Sequence, residues 1–170
     1  MQNSKIKKKI ITLIGPTACN KTSTAVHLIK KFPISIIGVD SVQIYKRFNI
    51  GSAKPPKEIL EKYKHHLVDS ADPENIFSVK DFYDQAFRIV KQAHSNNTIP
   101  LLVGGTMMYF NALFKGINDI PEGNEAIREE LQRELDNRGV DKLFNELKEI
   151  DPESAKTVKK NDTQRIIRAL

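Results

Sequence analysis

Three short runs of apolar, largely β-branched residues predict buried strands of a parallel sheet. They span residues 10–14, 34–39 and 99–103, and a weaker fourth candidate lies at 67–68. Each strong run ends abruptly at a small or polar residue: Gly15, Asp40 or Gly104. The hydrophobic pattern therefore predicts three firm strands and one weak one.

Helical periodicity fills the stretches between these strands. Residues 22–31 carry apolar side chains at helical spacing. A longer pattern begins at Ser78, and Asp81 three residues on makes an acidic variant of the capping box. A third pattern, at 107–115, is stopped by Gly116. Because strands alternate with helices, the sequence predicts right-handed βαβ units and a parallel sheet with helices on both faces.

The pattern changes after Pro121, where strand signals stop and helical patterns follow one another. Asp151 before Pro152 predicts a helix N-cap with proline at the first helical position. Asp162 predicts the cap of one more helix, which runs to Leu170 without a stop signal. With so few strands, the sheet is expected to end at an unpaired apolar edge.

Composition and charge narrow the classes of function. The net charge of +6 and the pI near 9.3 are compatible with a polyanionic partner. No apolar run approaches the ~20 residues of a membrane span, and the polar start of the chain lacks the apolar core of a secretory signal. The single cysteine, Cys19, cannot form an internal disulfide. We therefore expect a protein of the reducing cytoplasm with no membrane segment.

A phosphate-binding loop is predicted between the first strand and the first helix. In such a loop, backbone N–H groups and a helix N-terminus surround an anion. Lys21 would reach the outer phosphate, and the Thr22 hydroxyl would hold Mg²⁺. Asn20 stands where a second glycine is expected, and we predict a positive φ there, which asparagine tolerates. The predicted diphosphate-binding residues are Gly15, Pro16, Thr17, Ala18, Cys19, Asn20, Lys21 and Thr22.

The acidic residues near this loop favour a diphosphate substrate over a kinase reaction. Kinases and nucleotide-hydrolysing enzymes that contain such a loop place a carboxylate at the end of a second strand, where it organises Mg²⁺. Here the strand at 99–103 ends in two glycines, and Asp40 is the only acidic strand terminus nearby. A phosphate cradle with one carboxylate suits the displacement of a diphosphate leaving group, with the carboxylate accepting a proton from the nucleophile. A Mg²⁺ ligand or a helix cap is the alternative role of Asp40.

These features together predict an α/β fold, a P-loop NTPase-like parallel sheet with helices on both faces and a helical insertion. The predicted division is a core over residues 1–120, the insertion over 121–161, and over 162–170 the start of a helix that returns to the core.

Motifs along most of the chain resemble those of the tRNA dimethylallyltransferases, also called IPP transferases. The matching stretches, in order, are GPTA…KT at 15–22, DSVQIY at 40–45, IGSAKP at 50–55, HHLVD at 65–69, DP at 72–73, FSV at 77–79, PLLVGGT at 100–106 with Tyr109, DPESA at 151–155 and NDTQRIIRAL at 161–170. Any single motif could arise by chance, but their order and spacing make the resemblance specific.

The resemblance implies transfer of a dimethylallyl group from dimethylallyl diphosphate to N6 of adenosine 37, next to the anticodon of tRNA. Asp40 would be the general base that accepts the N6 proton. Lys21, Thr22 and Mg²⁺ would neutralise the charge that grows on the departing diphosphate. Thr106 resembles a threonine with an orienting hydroxyl near the reaction centre, although a helix N-cap is an alternative role for it.

The resemblance also implies a set of tRNA-contacting residues. The set consists of Asp40, Ser41, Val42, Gln43, Thr106, Arg128, Gln164, Arg165, Ile166, Ile167 and Arg168. Arg165 and Arg168 are three residues apart, so they would share a helix face and could contact adjacent phosphates. The alternative for this face is an ordinary solvated basic surface. His65 and His66 match the family but are interpreted as structural.

Two differences from the family pattern qualify the resemblance. Cys19 and Asn20 replace a usual Ser-Gly pair, and the chain stops where family members continue. We therefore expect an N-terminal fragment, monomeric like the family, that does not transfer the group efficiently alone. Two alternative functions stay open: a P-loop small-molecule kinase that binds ATP, and a truncated remnant without activity.

Overall fold

The computed structural model describes residues 9–117 and 123–170, which fall into two compact units, 1–118 and 119–170. The described part of the first unit contains strands β1 (Ile11–Ile14), β2 (Ile34–Val39), β3 (His65–His66) and β4 (Ile99–Gly104). Its helices are α1 (Lys21–Ile29), α2 (Lys57–Lys62), α3 (Val79–Ser95) and α4 (Met107–Lys115). The three firm strands and the helices at 22–31, 78 onward and 107–115 are thus confirmed, with ends that agree to within two residues.

The four strands form one parallel sheet in the order β1-β4-β2-β3. This confirms the predicted α/β class with a parallel sheet. The weak strand was predicted at 67–68 but lies at His65–His66 instead, so that prediction is wrong by two residues. The reason is local: Leu67 and Asp69 adopt left-handed backbone, with φ of 61° and 50°, which ends strand pairing.

Helices cover both faces of the sheet, as the alternation of buried side chains along β2 requires. Ile37 and Val39 pack on one face with Phe82 of α3 and Phe110 of α4. Ile36 and its neighbours pack on the other face with α1. Helix α3 begins at the predicted capping box, where the Ser78 N–H donates to Asp81 Oδ2 at 2.9 Å and the Asp81 N–H donates to Ser78 Oγ at 3.1 Å.

Strand β1 forms an edge of the described sheet, because it pairs only with β4. Ile11 and Ile14 are each 43% exposed, so the edge is apolar as well as unpaired. The expectation of an unpaired apolar edge is therefore confirmed for the described residues.

The second unit is helical throughout its described part. It contains α5 (Glu125–Arg138), α6 (Val140–Ile150), α7 (Pro152–Thr157) and α8 (Thr163–Ala169). Leu143, Leu147 and Ile166 form the centre of its core. The predicted caps are confirmed: Asp151 Oδ1 accepts from the Ser154 N–H at 3.0 Å, and Asp162 Oδ1 accepts from the Arg165 N–H at 3.2 Å.

The predicted boundary at Pro121 lies outside the described residues. Helix α8 packs on α6 and α5 within the second unit. Its predicted return to the core therefore stays a prediction. Among the residues that the structure describes, no helix is both long enough and apolar enough to cross a membrane.

Candidate active site at the phosphate-binding loop

The carboxyl ends of β1, β2 and β4 meet at one edge of the sheet, and a close backbone approach holds them together. The Gly15 N–H donates to Gly104 O at 3.4 Å, and Val39 lies opposite Gly104 in the parallel register. A Cβ atom at position 104 would lie 2.0 Å from Val39 O. Only glycine fits this position without moving the strands, and the loop after β1 is thereby placed beside the loop after β2.

The loop between β1 and α1 has the left-handed conformation that the sequence predicts. Asn20 has φ 59° and ψ 24° and precedes the first residue of α1, which confirms the predicted positive φ. Ala18 also has a positive φ, of 64°, which the sequence analysis did not anticipate. Turns that combine left- and right-handed residues expose backbone N–H groups to an anion. The loop therefore has the backbone shape of a phosphate cradle.

Lys21 places its ammonium group on this loop. Its Nζ donates to Gly15 O at 2.8 Å and to Pro16 O, and lies 3.6 Å from Cys19 Sγ. The Thr22 side chain, next in α1, lines the same cavity as Lys21. Carbonyl and thiol groups are weaker partners for an ammonium than a phosphate oxygen. The lysine is therefore positioned to turn to an anion that enters the loop.

Asp40 follows β2 and uses one carboxylate oxygen to shape its own loop. Its Oδ1 accepts from the Val42 N–H at 2.9 Å and the Gln43 N–H at 3.1 Å. A turn and not a helix follows Asp40, so these bonds shape a turn and do not make the helix cap considered as an alternative. Within residues 9–117 and 123–170 no donor contacts the other oxygen, Oδ2. Asp40 is thus fixed through one oxygen and keeps the other available.

Thr106 occupies the N-cap position of α4 without capping it by its side chain. Its Oγ1 accepts from the Ser41 N–H at 3.1 Å, and its own N–H donates to Val39 O at 3.2 Å. The two contacts tie the loop after β4 to the end of β2 and to the loop that follows it. The hydroxyl therefore orients the Asp40–Ser41 segment. Thr106 stands at the N-cap position, as the alternative prediction had it, but its side chain makes no capping hydrogen bond.

A cavity of about 570 Å³ brings the predicted groups together. The phosphate loop from Thr17 to Thr22, Asp40 and Gln43 all line it, which places a carboxylate and a phosphate cradle around one space. A volume of this size is typical of small-ligand sites. Ser41, Val42 and Thr106 do not line it. The cavity is also lined by residues that were not predicted for the site. They include Val26, His27, Lys30, Ser52, Ala53 and Ile59.

Gln43 connects the predicted and the missed parts of the wall. Its Nε2 donates to Ser52 O at 3.2 Å and to Ala53 O at 2.9 Å. Ser52 and Ala53 belong to the IGSAKP motif at 50–55, one of the motifs that resemble the family. The motif was the signal that could have identified them.

The predicted tRNA-contacting residues of the second unit divide into three groups. Arg128, Gln164, Ile167 and Arg168 line a shared cavity of about 320 Å³. Arg165 does not line it, and its Nε lies 3.4 Å from Asp162 Oδ2. Ile166 is fully buried in the helical core, so its side chain is not available to RNA in this unit.

His65 and His66 lie on β3 and line no part of the cavity. The His65 ring makes a 2.6 Å hydrogen bond between Nδ1 and Tyr63 O. Burial lowers the pKa of both imidazoles below the ordinary histidine value. Half-buried residues on an edge strand, away from the cavity, agree with the structural role predicted for them.

The fold and the site define a P-loop α/β protein in which a strand-end carboxylate and a phosphate cradle share one cavity. Comparison with known proteins identifies the family within this class. The sequence profile of the IPP transferase family matches residues 43–170. The chain therefore belongs to the IPP transferase family.

Individual relatives agree with this assignment. The chain is 45% identical to a tRNA dimethylallyltransferase of Dichelobacter nodosus, over 94% of the chain and 50% of the relative, and 46% identical to one of Vesicomyosocius okutanii, over 97% and 54%. The tRNA isopentenylpyrophosphate transferase structure from Bacillus halodurans superposes with a TM-score of 0.63 at 38% identity, covering 96% of this chain and 54% of that one. A eukaryotic dimethylallyltransferase acting on tRNA gives 0.78 at 28% identity, covering 95% and 40%. The chain thus spans about half the length of the curated relatives it matches.

Proposed function

We propose that the protein containing this chain transfers a dimethylallyl group from dimethylallyl diphosphate to N6 of the adenosine next to the anticodon of tRNA. The observation that carries the proposal is the single cavity lined by both the phosphate loop and Asp40. Family membership and relatives named tRNA dimethylallyltransferase support it. The alternative of a small-molecule kinase lacks support, since β4 ends at Gly104 and is followed by Gly105, with no carboxylate at the strand end.

The phosphate loop binds the diphosphate of the donor. Backbone N–H groups at the start of α1 and the Lys21 ammonium offset the negative charge that grows on the leaving group. Thr22 lines the cavity with the phosphate loop, and its hydroxyl would hold Mg²⁺, an ion that is commonly held by one or two protein oxygens together with substrate phosphates. When bound, Mg²⁺ would further stabilise charge on the diphosphate.

Asp40 acts on the acceptor. As the bond between N6 and the allylic carbon forms, the bond between that carbon and the diphosphate oxygen breaks, and the diphosphate leaves with the electron pair. The amine proton passes to Oδ2 of Asp40, the oxygen that its own loop leaves available. Oδ1 keeps its two backbone hydrogen bonds, so the carboxylate does not need to reorient.

The tRNA is bound by positive charge and by polar groups near the reaction centre. The net charge of +6 favours a polyanion. In the second unit, Arg128, Gln164 and Arg168 line a cavity whose arginines can bind phosphates. The lone cysteine agrees with the cytoplasm as the place of action, and we propose that the protein acts as a monomer.

The experiment that tests this function replaces Asp40 in the full-length protein. Asp40→Asn keeps an acceptor for the loop N–H groups but cannot take the amine proton, so single-turnover transfer should fall by about 100-fold or more. Binding of tRNA and of donor should change little. Asp72→Asn is the matched control, because Asp72 is also a loop carboxylate but pairs with exposed Arg47. An Asp40→Asn variant that keeps most of its transfer rate would remove Asp40 as the base, and tight ATP binding would favour the kinase alternative.

A further inference from the structure

Lys54 has a buried ammonium group whose donors are all matched by acceptors. Its side chain is 3% exposed. Its Nζ donates to Tyr45 O at 2.8 Å, to Asn49 Oδ1 at 3.3 Å and to Asp69 Oδ1 at 2.5 Å. An ammonium group has three donors, so Lys54 is fully satisfied. A charge removed from water in this way is costly unless such partners compensate it, which indicates that the arrangement is specific.

Asp69, the charged partner, is fastened to the segment that follows Asp40. The Asp69 N–H donates to Gln43 O at 3.1 Å, and the next two N–H groups donate to Ile44 O at 2.8 and 2.9 Å. Asp69 itself has the left-handed φ of 50°. Residues in such conformations persist where the surrounding contacts over-determine them. The ion pair therefore joins the chain after β3 to the chain after β2.

Lys54 also closes the segment 40–54 on itself. The segment begins at Asp40 and ends beside Ser52 and Ala53, and these residues line the cavity. Gln43 bridges the two ends through its bonds to Ser52 O and Ala53 O. Lys54 directly follows Ser52 and Ala53, so its ion pair with Asp69 fixes the Gln43 bridge relative to the chain after β3.

We propose that Lys54, acting through Asp69, is a positioning residue that holds the acceptor wall of the cavity, Asp40 to Gln43 and Ser52 to Ala53, in the geometry that receives the adenine. The proposal rests on the proposed function. It also gives a shared role to two motifs, IGSAKP at 50–55 and HHLVD at 65–69, whose charged residues meet in this ion pair. The phosphate loop makes none of these contacts, so donor binding is expected to be independent of Lys54.

A second ion pair supplies the control. Arg47 also joins the loop after β2 to the loop after β3, through Asp72 Oδ1 at 2.9 Å. Its side chain is 64% exposed, and exposed pairs contribute little. Arg47→Met therefore removes a cation from the same pair of loops without emptying a buried site.

The test compares Lys54→Met with Arg47→Met in the full-length protein. For Lys54→Met we expect single-turnover transfer to fall by about 100-fold, because misplacement by about 1 Å has effects of this size. The KM for tRNA should rise, while the KM for dimethylallyl diphosphate and calorimetric binding of diphosphate stay within about twofold. Arg47→Met should stay within about twofold of wild type in all of these. If Lys54→Met instead weakens binding of dimethylallyl diphosphate as much as binding of tRNA, the defect is a general loss of structure and the proposal is overturned.

Amide hydrogen exchange tests the proposal without catalysis. Lys54→Met should speed exchange of the Lys46, Ser70 and Ala71 amides, which bridge the two loops, and leave the amides of α1 unchanged. Unchanged exchange at the three bridging amides overturns the proposal. If Lys54→Met fails to fold, Lys54→Met/Asp69→Asn replaces it, since asparagine tolerates the left-handed backbone at 69. A wild-type transfer rate in that double variant overturns the proposal, and a slow rate with intact diphosphate binding supports it.

Failure of the proposed function would be visible separately. If the wild-type full-length protein makes no prenylated adenosine, the proposed function falls. The tRNA affinities of the variants then decide the positioning role. Weaker binding by Lys54→Met than by Arg47→Met supports it, and equal binding overturns it.

Discussion

Replacing Gly104 with alanine should destabilise the first unit and separate the two sides of its cavity. The new Cβ would lie 2.0 Å from Val39 O and 2.5 Å from Val39 C, and backbone atoms cannot rotate away. Ordinary carbon contacts begin near 3.4 Å, so β2 and β4 must move apart by roughly 1.4 Å at their carboxyl ends. Overpacking of this kind costs about 1–3 kcal/mol.

One hydrogen bond across the same joint is weakened by this movement. The Thr106 N–H bond to Val39 O contributes about 1 kcal/mol. The expected loss in unfolding free energy is therefore about 2–4 kcal/mol, a large part of the ~5–15 kcal/mol of a typical domain. Because the loops of Gly15 and Asp40 move apart with the strands, donor affinity and transfer should fall as well.

Urea unfolding of Gly104→Ala beside Gly38→Ala measures this effect. Gly38 lies on β2, and a Cβ there would meet Val68 Cγ2 at 2.8 Å, the end of a side chain that can turn. We expect Gly38→Ala to lose less stability than Gly104→Ala. If Gly104→Ala unfolds within about 0.5 kcal/mol of wild type, a value usual for surface changes, the close-approach argument is refuted.

Three further experiments test separate features of the molecule. Asn20→Gly should leave the affinity for dimethylallyl diphosphate unchanged or improve it, because glycine adopts the left-handed φ of 59° without steric cost; clearly weaker calorimetric binding would make the Asn20 side chain a ligand. Arg168→Ala should reduce the log–log salt slope of tRNA binding by about 1, whereas Arg165→Ala, whose side chain pairs with Asp162, should reduce it less; equal slopes would contradict the difference between the two arginines. Hydrogen bonds from Ser78 lower the pKa of Asp81 below its ordinary value of 3.8, so its contribution to stability is present above that value and is lost as the pH falls below it; Asp81→Asn should flatten this part of the stability profile in acid unfolding.

Local signals were sufficient for most of the fold. Apolar β-branched runs located β1, β2 and β4, and the Ser78–Asp81 and Asp151–Pro152 pairs located helix starts, because hydrogen bonds within a few residues determine these features. The predicted position of β3 was two residues too late, because the strand ends at a left-handed backbone conformation at Leu67. Leucine rarely adopts that conformation, so the sequence did not indicate it.

The site was predictable where an unusual residue type stood at a position with a specific backbone or chemical requirement. Asparagine in place of glycine indicated the positive φ at position 20, and a lone acidic strand end indicated Asp40. Ala18 was missed because alanine rarely adopts positive φ. The pairing of Lys54 with Asp69 was missed because contacts between residues far apart in sequence are set by tertiary packing.

The single thiol of the chain offers a means of observing the phosphate loop directly. Cys19 is exposed on that loop, with Sγ 3.6 Å from Lys21 Nζ, and the sequence holds no other cysteine. A thiol-reactive fluorophore would therefore label the cradle of this chain at one defined position, and its emission could follow ligand arrival in real time. The same placement makes alkylating reagents and oxidants hazardous during purification, because the atom they modify first stands where the diphosphate is proposed to bind.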